Sequence, residues 1–382
     1  MRIAVVVNVL PPEGRGGAEA YAALLAATLA EEHDVLVLST SPTGEVGIAK
    51  IAQLPRLPYL APTASLPEKL IWHSRDQWRP SVQFALRREL QSFRPDVVHT
   101  HECQGLSAAV FTAISSLGLR HVHTAHDLNL LCARTSMTRD FEFCGGRCGS
   151  CRVQRVIRGG AFRRLPTDFI AISDFILQRH VEAGIVDVAR AQVIRHGSAT
   201  GRPRLRAPRD GGLRVGFIGT LEPHKGLPTL LQAFADPPPG WHLAIAGSGS
   251  LETLATAAAA GQPQISYLGY IAGDEKERFF DELDLLVIPS EWEEPAALVG
   301  IEAATRGIPL IAGDRGGMPE LPEVTVFPAR NALALRDAIT AFAAAPDRLQ
   351  AISGRLLEQH DEFTWSTHVA KVKRILAQAE HP

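Results

Sequence analysis

The sequence predicts an α/β protein built from two parallel sheets, each covered by helices on both faces. Three observations carry that prediction. Strand-like apolar runs alternate with helix-spaced segments along the whole chain, and short strands separated by helices of roughly ten residues imply parallel pairing through right-handed crossovers. The 382 residues are too many for one ordinary core and suit two domains. The alternation stops once, between Thr200 and Gly212, where Gly, Pro and Arg replace apolar residues, and then restarts.

Taken in order, Arg2–Val7 reads as a strand and Gly16–Glu32 as a helix with Ala20, Leu24, Leu25, Thr28 and Leu29 along one side. Asp34–Leu38 is a second strand. Ser41 to Trp78 is Pro-rich, with weak periodicity, and is read as irregular. A helix over 82–93, a strand over 96–99, a helix over 104–117 and a strand over 120–124 follow. Asp168–Ile172 is a strand, and Ser173 suits the cap of a helix that Gly184 ends. Val193–Ile194 closes this half. The second half reads strand 213–218, helix 227–235, strand 242–246, helix 250–260, strand 265–267, helix 274–281 and strand 285–288. Each half is therefore a Rossmann-like domain, and a cleft between two such domains is the expected place for a small-molecule site.

Composition excludes several classes. A content of 46% hydrophobic and 21% charged residues is globular, and a net charge of -2 offers no global basic field for nucleic acid. No apolar run reaches the roughly 18–20 residues of a membrane span. Met1–Asn8 has no small-residue cleavage site and reads as a first buried strand, not a signal peptide. The expectation is a cytoplasmic protein, with peripheral contact to a membrane surface left open.

The run from Pro289 to Pro309 carries the most chemistry. Val287-Ile288 end a strand, Ala297–Arg306 form a helix, and Gly307 stops it. Glu294 thus lies in a strand-to-helix loop, and Glu302 about two turns along the helix. Such a loop sits at the carboxyl edge of a parallel sheet, where open α/β folds bind ligands. The helix start offers N–H groups that suit a diphosphate; two carboxylates suit sugar and ribose hydroxyls. Trp292 is expected either to pack on an acceptor sugar or to cover the loop. Gly219 to Gly226 follows the first strand of the second half, and Lys225, at the next helix start, puts an ammonium within reach of a phosphate.

Elsewhere, Gly14 to Glu19 opens the first helix, and its glycines let backbone N–H groups approach a ligand. It lacks the downstream acid of a dinucleotide fingerprint. His126 falls just past the end of a strand, where its imidazole can donate to a sugar hydroxyl. Alternation puts His121 and His123 on one strand face, which marks them as structural. The backbone around Tyr267, Gly269 and Tyr270 can reach a base edge. Four of the five cysteines cluster: Cys132, Cys144, Cys148 and Cys151. Four thiolates at this spacing can hold a structural zinc. Two disulfides in an oxidising compartment, or four unligated thiols, are the other readings.

At these residues the chain resembles the retaining glycosyltransferases of family 4, which have the GT-B fold: two Rossmann-like domains facing an interdomain cleft. The resemblance spans nearly the whole chain. It rests on Gly16-Gly17-Ala18-Glu19, Pro95 to His99, Thr124 to Asp127, Ala171-Ile172-Ser173, Gly219 with Lys225-Gly226, Gly269, the Glu294-x7-Glu302 spacing and Gly307-Ile308-Pro309. It implies an acceptor-side domain over 1–200 with the cysteine-rich insert near 132–151, a linker over 201–212, and a donor-side domain over 213–362. A last helix, over 363–382, would cross back to the first domain.

The resemblance also implies transfer of a sugar from a nucleotide-diphosphate donor, with no catalytic metal. Glu294 would hold donor-sugar hydroxyls, Glu302 the ribose, and Lys225 the leaving diphosphate. Gly16, Gly17, Gly219, Thr220, Gly269 and the amides at Leu298 and Val299 would line the donor, with His126 near its sugar. Two positions depart from the family: Thr220 replaces an Arg, for which Arg315 or Arg195 can substitute, and Ala296-Ala297 replaces Phe-Gly. The acceptor is a glycan, a lipid-linked sugar or a small molecule. The competing readings are a nucleotide-sugar epimerase of the same fold and a non-catalytic nucleotide-sugar binding protein. Leu57, Tyr59, Leu60, Leu66, Leu70, Ile71 and Trp72 are expected to pack inward more than to touch lipid.

Overall fold

The structure is a computed structural model that describes residues 1–14, 16–58, 64–139, 142–145, 148–199, 201–206 and 212–378. The chain forms two compact units. Unit one comprises Met1–Met137, Cys144–Ile194 and Lys371–Pro382; unit two comprises Thr138–Phe143 and Arg195–Ala370.

Unit one holds a seven-stranded parallel sheet. Its strands are β1 (Arg2–Val6), β2 (Asp34–Ser39), β3 (Lys50–Gln53), β4 (Val97–Thr100), β5 (His121–Ala125), β8 (Thr167–Ala171) and β9 (Ala191–Val193); β6 (Thr138–Arg139) and β7 (Glu142–Phe143) form a separate antiparallel pair. The order is β3-β2-β1-β4-β5-β8-β9, with Ile3 paired to Val35 on one side and Val97 on the other. The helices are α1 (Gly17–Ala30), α2 (Leu66–Gln77), α3 (Pro80–Phe93), α4 (Ala109–Ser116), α5 (Gly149–Gln154), α6 (Gly160–Arg163) and α7 (Asp174–Glu182). Central strands such as β1 and β5 are buried along nearly their full length, as parallel strands covered on both faces must be. Ser173 Oγ accepts the Ile176 amide and caps α7, as the sequence predicts.

Unit two holds a six-stranded parallel sheet: β10 (Arg214–Ile218), β11 (His242–Ala246), β12 (Ile265–Tyr267), β13 (Leu285–Ile288), β14 (Leu310–Gly313) and β15 (Val324–Phe327), in the order β12-β11-β10-β13-β14-β15. Its helices are α8 (Leu227–Ala233), α9 (Glu252–Gly261), α10 (Gly273–Glu282), α11 (Leu298–Ala304), α12 (Ala332–Ala343) and α13 (Pro346–Glu358); α14 (Trp365–Ala377) ends the chain's described helices. Its core joins strand residues such as Val215, Leu243, Leu286 and Ile311 to Leu230, Phe280, Ile301 and Leu335 from the helices. No helix among the described residues is long and apolar enough to cross a membrane.

Four differences from the sequence reading have physical causes. The segment Ser41–Trp78 is not wholly irregular: it contains β3 and α2. β3 is a four-residue edge strand whose ends are exposed, so it carries little alternation. α2 buries only Asp76 and Gln77, so no apolar stripe marks it; the local sign was the Ser65–Glu68 capping box, in which the Ser65 amide donates to Glu68 Oε2 at 2.7 Å. In α1 the buried side runs through Tyr21, Ala22, Leu25, Ala26 and Leu29, and Leu24 faces out. Alanine and tyrosine fill this contact, and a search for large aliphatics misplaces the stripe. The expected linker is anchored where it is described. Arg206 is buried and donates to the carbonyls of Asp281 and Leu283 at 2.9 and 3.1 Å.

The polar interior of unit one centres on Arg158, in a π turn (Arg155–Gly159) between α5 and α6. Its guanidinium pairs with Asp76 at 3.0 Å, donates to the Asp76 carbonyl at 2.6 Å, and bonds Asn129. Gln154 bridges the Asn129 carbonyl and Gln77, at 2.6 and 2.7 Å. Neither charge of the pair reaches solvent. Removing one partner strands the other in a low-dielectric interior. Arg158→Ala should therefore cost about 3–5 kcal/mol of stability, measured as a loss in urea unfolding against the parent protein.

Candidate functional site

In unit two the winding direction of the sheet reverses between β10 and β13, and ligands bind open α/β sheets at such a point. The loop leaving β10 ends in a short turn, Pro223–Lys225, and the loop leaving β13 runs from Pro289 to Ala297. The two loops meet. Lys225 Nζ lies 2.6 Å from Glu294 Oε2. The Glu291 amide donates to the His224 carbonyl at 2.9 Å. Gly226, at φ +75°, makes this approach feasible, because a Cβ there would sit 1.9 Å from the Pro289 carbonyl oxygen.

Glu294 is 7% exposed, and its Oε2 takes three donors. Besides Lys225 these are Trp292 Nε1 at 2.7 Å and Ser290 Oγ at 3.1 Å. Trp292 therefore holds the carboxylate directly, which was neither of the roles expected for it. His224 packs edge-on against the Trp292 ring. Burial, and then the Lys225 ammonium, push the His224 pKa down. A third loop, after β14, braces the pair: the Gly316 amide donates to Glu293 Oε2 and the Gly317 amide to the Glu294 carbonyl. Arg315 in that loop faces Glu293 at 3.9 Å, while Arg195 is held by Glu320 at 3.2 Å.

Ala297 precedes α11 without a side-chain cap, and Leu298 and Val299 open its first turn, where amides have no intrahelical acceptor. Glu302, further along α11, pairs through Oε1 with Lys276 of α10 at 2.7 Å. Its Oε2 is buried and has no hydrogen-bond partner among the described residues. On the same sheet edge, Gly219 and Gly269 follow β10 and β12, and Gly269, at φ +68°, accepts the Gly247 amide at 2.7 Å. Thr220 is exposed. One edge of the sheet thus gathers an ammonium, two carboxylates, a helix start and close-packed glycine backbone.

Comparison with known proteins agrees with this geometry. The family described as "Glycosyltransferase Family 4" matches residues 15–202, and "Glycosyl transferases group 1" matches residues 206–354. The chain belongs to glycosyltransferase family 4. Glycogen synthase of Mycobacterium tuberculosis is 27% identical to it over 403 aligned positions, covering 97% of this chain and 94% of that protein. An uncharacterized 42.6 kDa protein in the cps region of Klebsiella pneumoniae is 25% identical, covering 85% and 88%. Among solved structures, Anabaena HepE in complex with UDP superposes with a TM-score of 0.74 at 17% identity, over 99% of this chain and 100% of that one. Sucrose-phosphate synthase from Thermosynechococcus elongatus gives 0.72 at 18%, covering 98% of each. These last two likenesses bear on the fold, which is that of GT-B glycosyltransferases.

The other expected residues of this family 4 chain lie in unit one. Gly16 precedes α1 and Gly17 opens it; Glu19 folds back so closely that a Cβ on Gly16 would meet its Oε2 at 2.2 Å. His126 follows β5, and its Nε2 lies 3.2 Å from His101 Nδ1 while its ring meets Tyr21 edge-on. His121 and His123 are structural: His121 bonds Thr100 and Thr167, and His123 bonds Thr100. Sequence reasoning gave no role to Ser290, Lys276, Glu102 or Asp127. Lys276 had no local signal, because it reaches Glu302 from a neighbouring helix. Glu102 and Asp127 directly follow histidines at strand ends, and that position was the available cue.

Three of the four clustered cysteines, Cys132, Cys148 and Cys151, come together, and Cys144 takes a backbone partner. Cys148 and Cys151 Sγ lie 3.0 Å apart. Cys132 also reaches Cys151, but Cys144 Sγ donates to the Met137 carbonyl at 3.0 Å. Among the described residues no group of three or more His, Cys, Asp or Glu side chains has the geometry to hold a metal ion.

His101, Glu102, His126 and Asp127 line a small cavity at the carboxyl ends of β4 and β5. Burial pushes Asp127 up to about 7, against the Asn129 amide that it accepts; burial and then the Asp127 charge push Glu102 well up. A carboxyl whose folded pKa is raised contributes stability that is full below its unfolded pKa. That contribution is lost as pH rises through the folded value. Relative to a variant without this carboxyl, the parent should therefore lose stability between about pH 4 and about pH 7. Asp127→Asn keeps the Asn129 contact and should flatten that slope. It should exceed the parent by about 1–3 kcal/mol near neutrality and by nothing near pH 4, in denaturant titrations at both pH values.

Proposed function

We propose that this chain transfers a sugar from a nucleotide-diphosphate donor to a hydroxyl of a glycan, lipid-linked or small-molecule acceptor, with retention at the anomeric carbon. The Lys225–Glu294 pair, set where the winding of the unit-two sheet reverses, carries the reading. A cation beside a carboxylate is what a sugar diphosphate needs: one group for phosphate charge, one for sugar hydroxyls. The solved complexes of HepE with UDP and with UDP-glucose support a nucleotide-sugar donor.

In this reading the bond from the anomeric carbon to the diphosphate oxygen breaks, and its electron pair leaves with the diphosphate. Lys225 and the amides of Leu298 and Val299 meet that developing charge, the contribution expected of fixed dipoles and cations in a closed site. Arg315, braced beside Glu293 on the adjoining loop, serves as a second cation where the family has Arg and this chain has Thr220. The acceptor oxygen then bonds to the anomeric carbon on the face the diphosphate leaves, and its proton passes to the departing phosphate oxygen. Glu294 orients the donor sugar; the unsatisfied Oε2 of Glu302 accepts from ribose hydroxyls.

Three measurements test this. Glu294→Ala should abolish transfer from UDP-, GDP- and ADP-sugars with an unchanged melting curve; transfer at the parent rate would remove Glu294 from the site. Lys225→Ala should lose about 1.5–3 kcal/mol of charge-assisted bonding, read as a drop of roughly 10- to 150-fold in kcat/KM for donor. The product's anomeric proton coupling in NMR should match the donor's configuration, and the opposite anomer would rule out retention.

A further inference from the structure

We infer that unit one carries a docking surface for an anionic lipid bilayer, formed by the outward sides of α2 and of the helical run 149–163. The surface goes beyond the transfer reaction and does not depend on it. α2 is inverted relative to an ordinary surface helix, which turns its apolar stripe to the core. Its buried residues are Asp76 and Gln77, while Leu66 and Leu70 are 77% and 71% exposed and Ile71 is 53% exposed. Leu66 and Leu70 share one face, four residues apart. Of the seven residues expected to pack inward, Leu57 does and Trp72 is half-buried, whereas these three face out. Tyr59 and Leu60 lie outside the described residues.

The run 149–163 repeats the inversion. Cys151, Gln154, Arg158 and Phe162 point inward, and Val153, Val156 and Ile157 point outward, with Val156 72% exposed. Arg152, Arg163 and Arg164 are exposed beside them. Residues 143–167 contain six arginines and no Asp or Glu. The two elements are joined: Gln77 bonds Gln154, and Arg158 pairs with Asp76. Glu68, an exposed acid on α2, is committed to the capping box.

Aliphatic side chains interspersed with arginine fit the boundary between headgroups and acyl chains, where an amphipathic helix lies in the plane of the membrane. A symmetric second copy fits poorly, because it would set the arginines of one face against those of the other. Each basic residue near an anionic surface strengthens binding by roughly fivefold, an effect that salt screens.

The test is co-sedimentation of the full chain with vesicles of phosphatidylglycerol and phosphatidylethanolamine, against vesicles of phosphatidylcholine alone. Binding to the anionic vesicles, reversed by high salt, is expected. Arg163→Ser/Arg164→Ser should weaken it by roughly 10-fold or more, and Leu66→Ser/Leu70→Ser and Val156→Ser/Ile157→Ser should do likewise. All six positions are exposed, and melting curves check that each variant folds; a variant that does not is replaced by its single substitutions. Equal binding to both vesicle types, binding to neither, or light scattering that shows a dimer dissolved by the same substitutions would overturn the proposal.

Discussion

Parallel strands joined by right-handed crossovers must be laid outward from a central pair, and this constraint positions the unit-two site. β11 and β12 are added on one side of β10, while β14 and β15 are added on the far side of β13. The helices after β10 and β13 consequently leave toward opposite faces, and the loops that lead to them meet at the switch point. Lys225 comes from one loop and Glu294 from the other, and they pair although 69 residues separate them in sequence. The close packing of Gly226 on Pro289 and of Gly316 on Glu294 then leaves the pair little freedom. Position and rigidity both come from the winding of the sheet.

The charges at this edge answer one another. Lys225, Trp292 and Ser290 all address one oxygen of Glu294, and Lys276 addresses one oxygen of Glu302. Such pairing keeps partly buried charges from costing their full desolvation. It also means that a polar ligand exchanges partners with groups already desolvated and oriented. Fixed groups of this kind need no reorganisation when charge develops. The buried, unsatisfied oxygen of Glu302 is the exception, and an unmet acceptor in a protein interior calls for a donor.

Unit one handles buried charge differently. Arg158 and Asp76 neutralise each other inside a network that includes Gln77, Asn129 and Gln154. Burial drives Glu19, Glu102 and Asp127 toward the protonated form, and the Arg158 charge opposes this only in part at Glu102 and Asp127. The same Arg158 network fixes the ends of α2 and the helical run 149–163. It thereby lets both elements present aliphatic residues outward at a cost met by interior polar bonds instead of apolar burial.

The sequence by itself determined the alternation of strands and helices, the parallel sheets, the restart of the pattern in the second half, and the loop positions of Glu294 and Lys225. These follow from local rules: apolar runs make buried strands, and glycine or a capping residue ends or begins a helix. Family membership was legible too, because its motifs are local strings. Only the tertiary structure decided what depends on neighbours distant in sequence. Lys276 meets Glu302 across two helices, Trp292 turns to Glu294, Cys144 bonds the Met137 carbonyl, and α2 exposes the leucines that ordinarily signal a core. Hydrophobic pattern tells which residues can be buried. What surrounds each one is set by packing between elements, and no stretch of sequence encodes that locally.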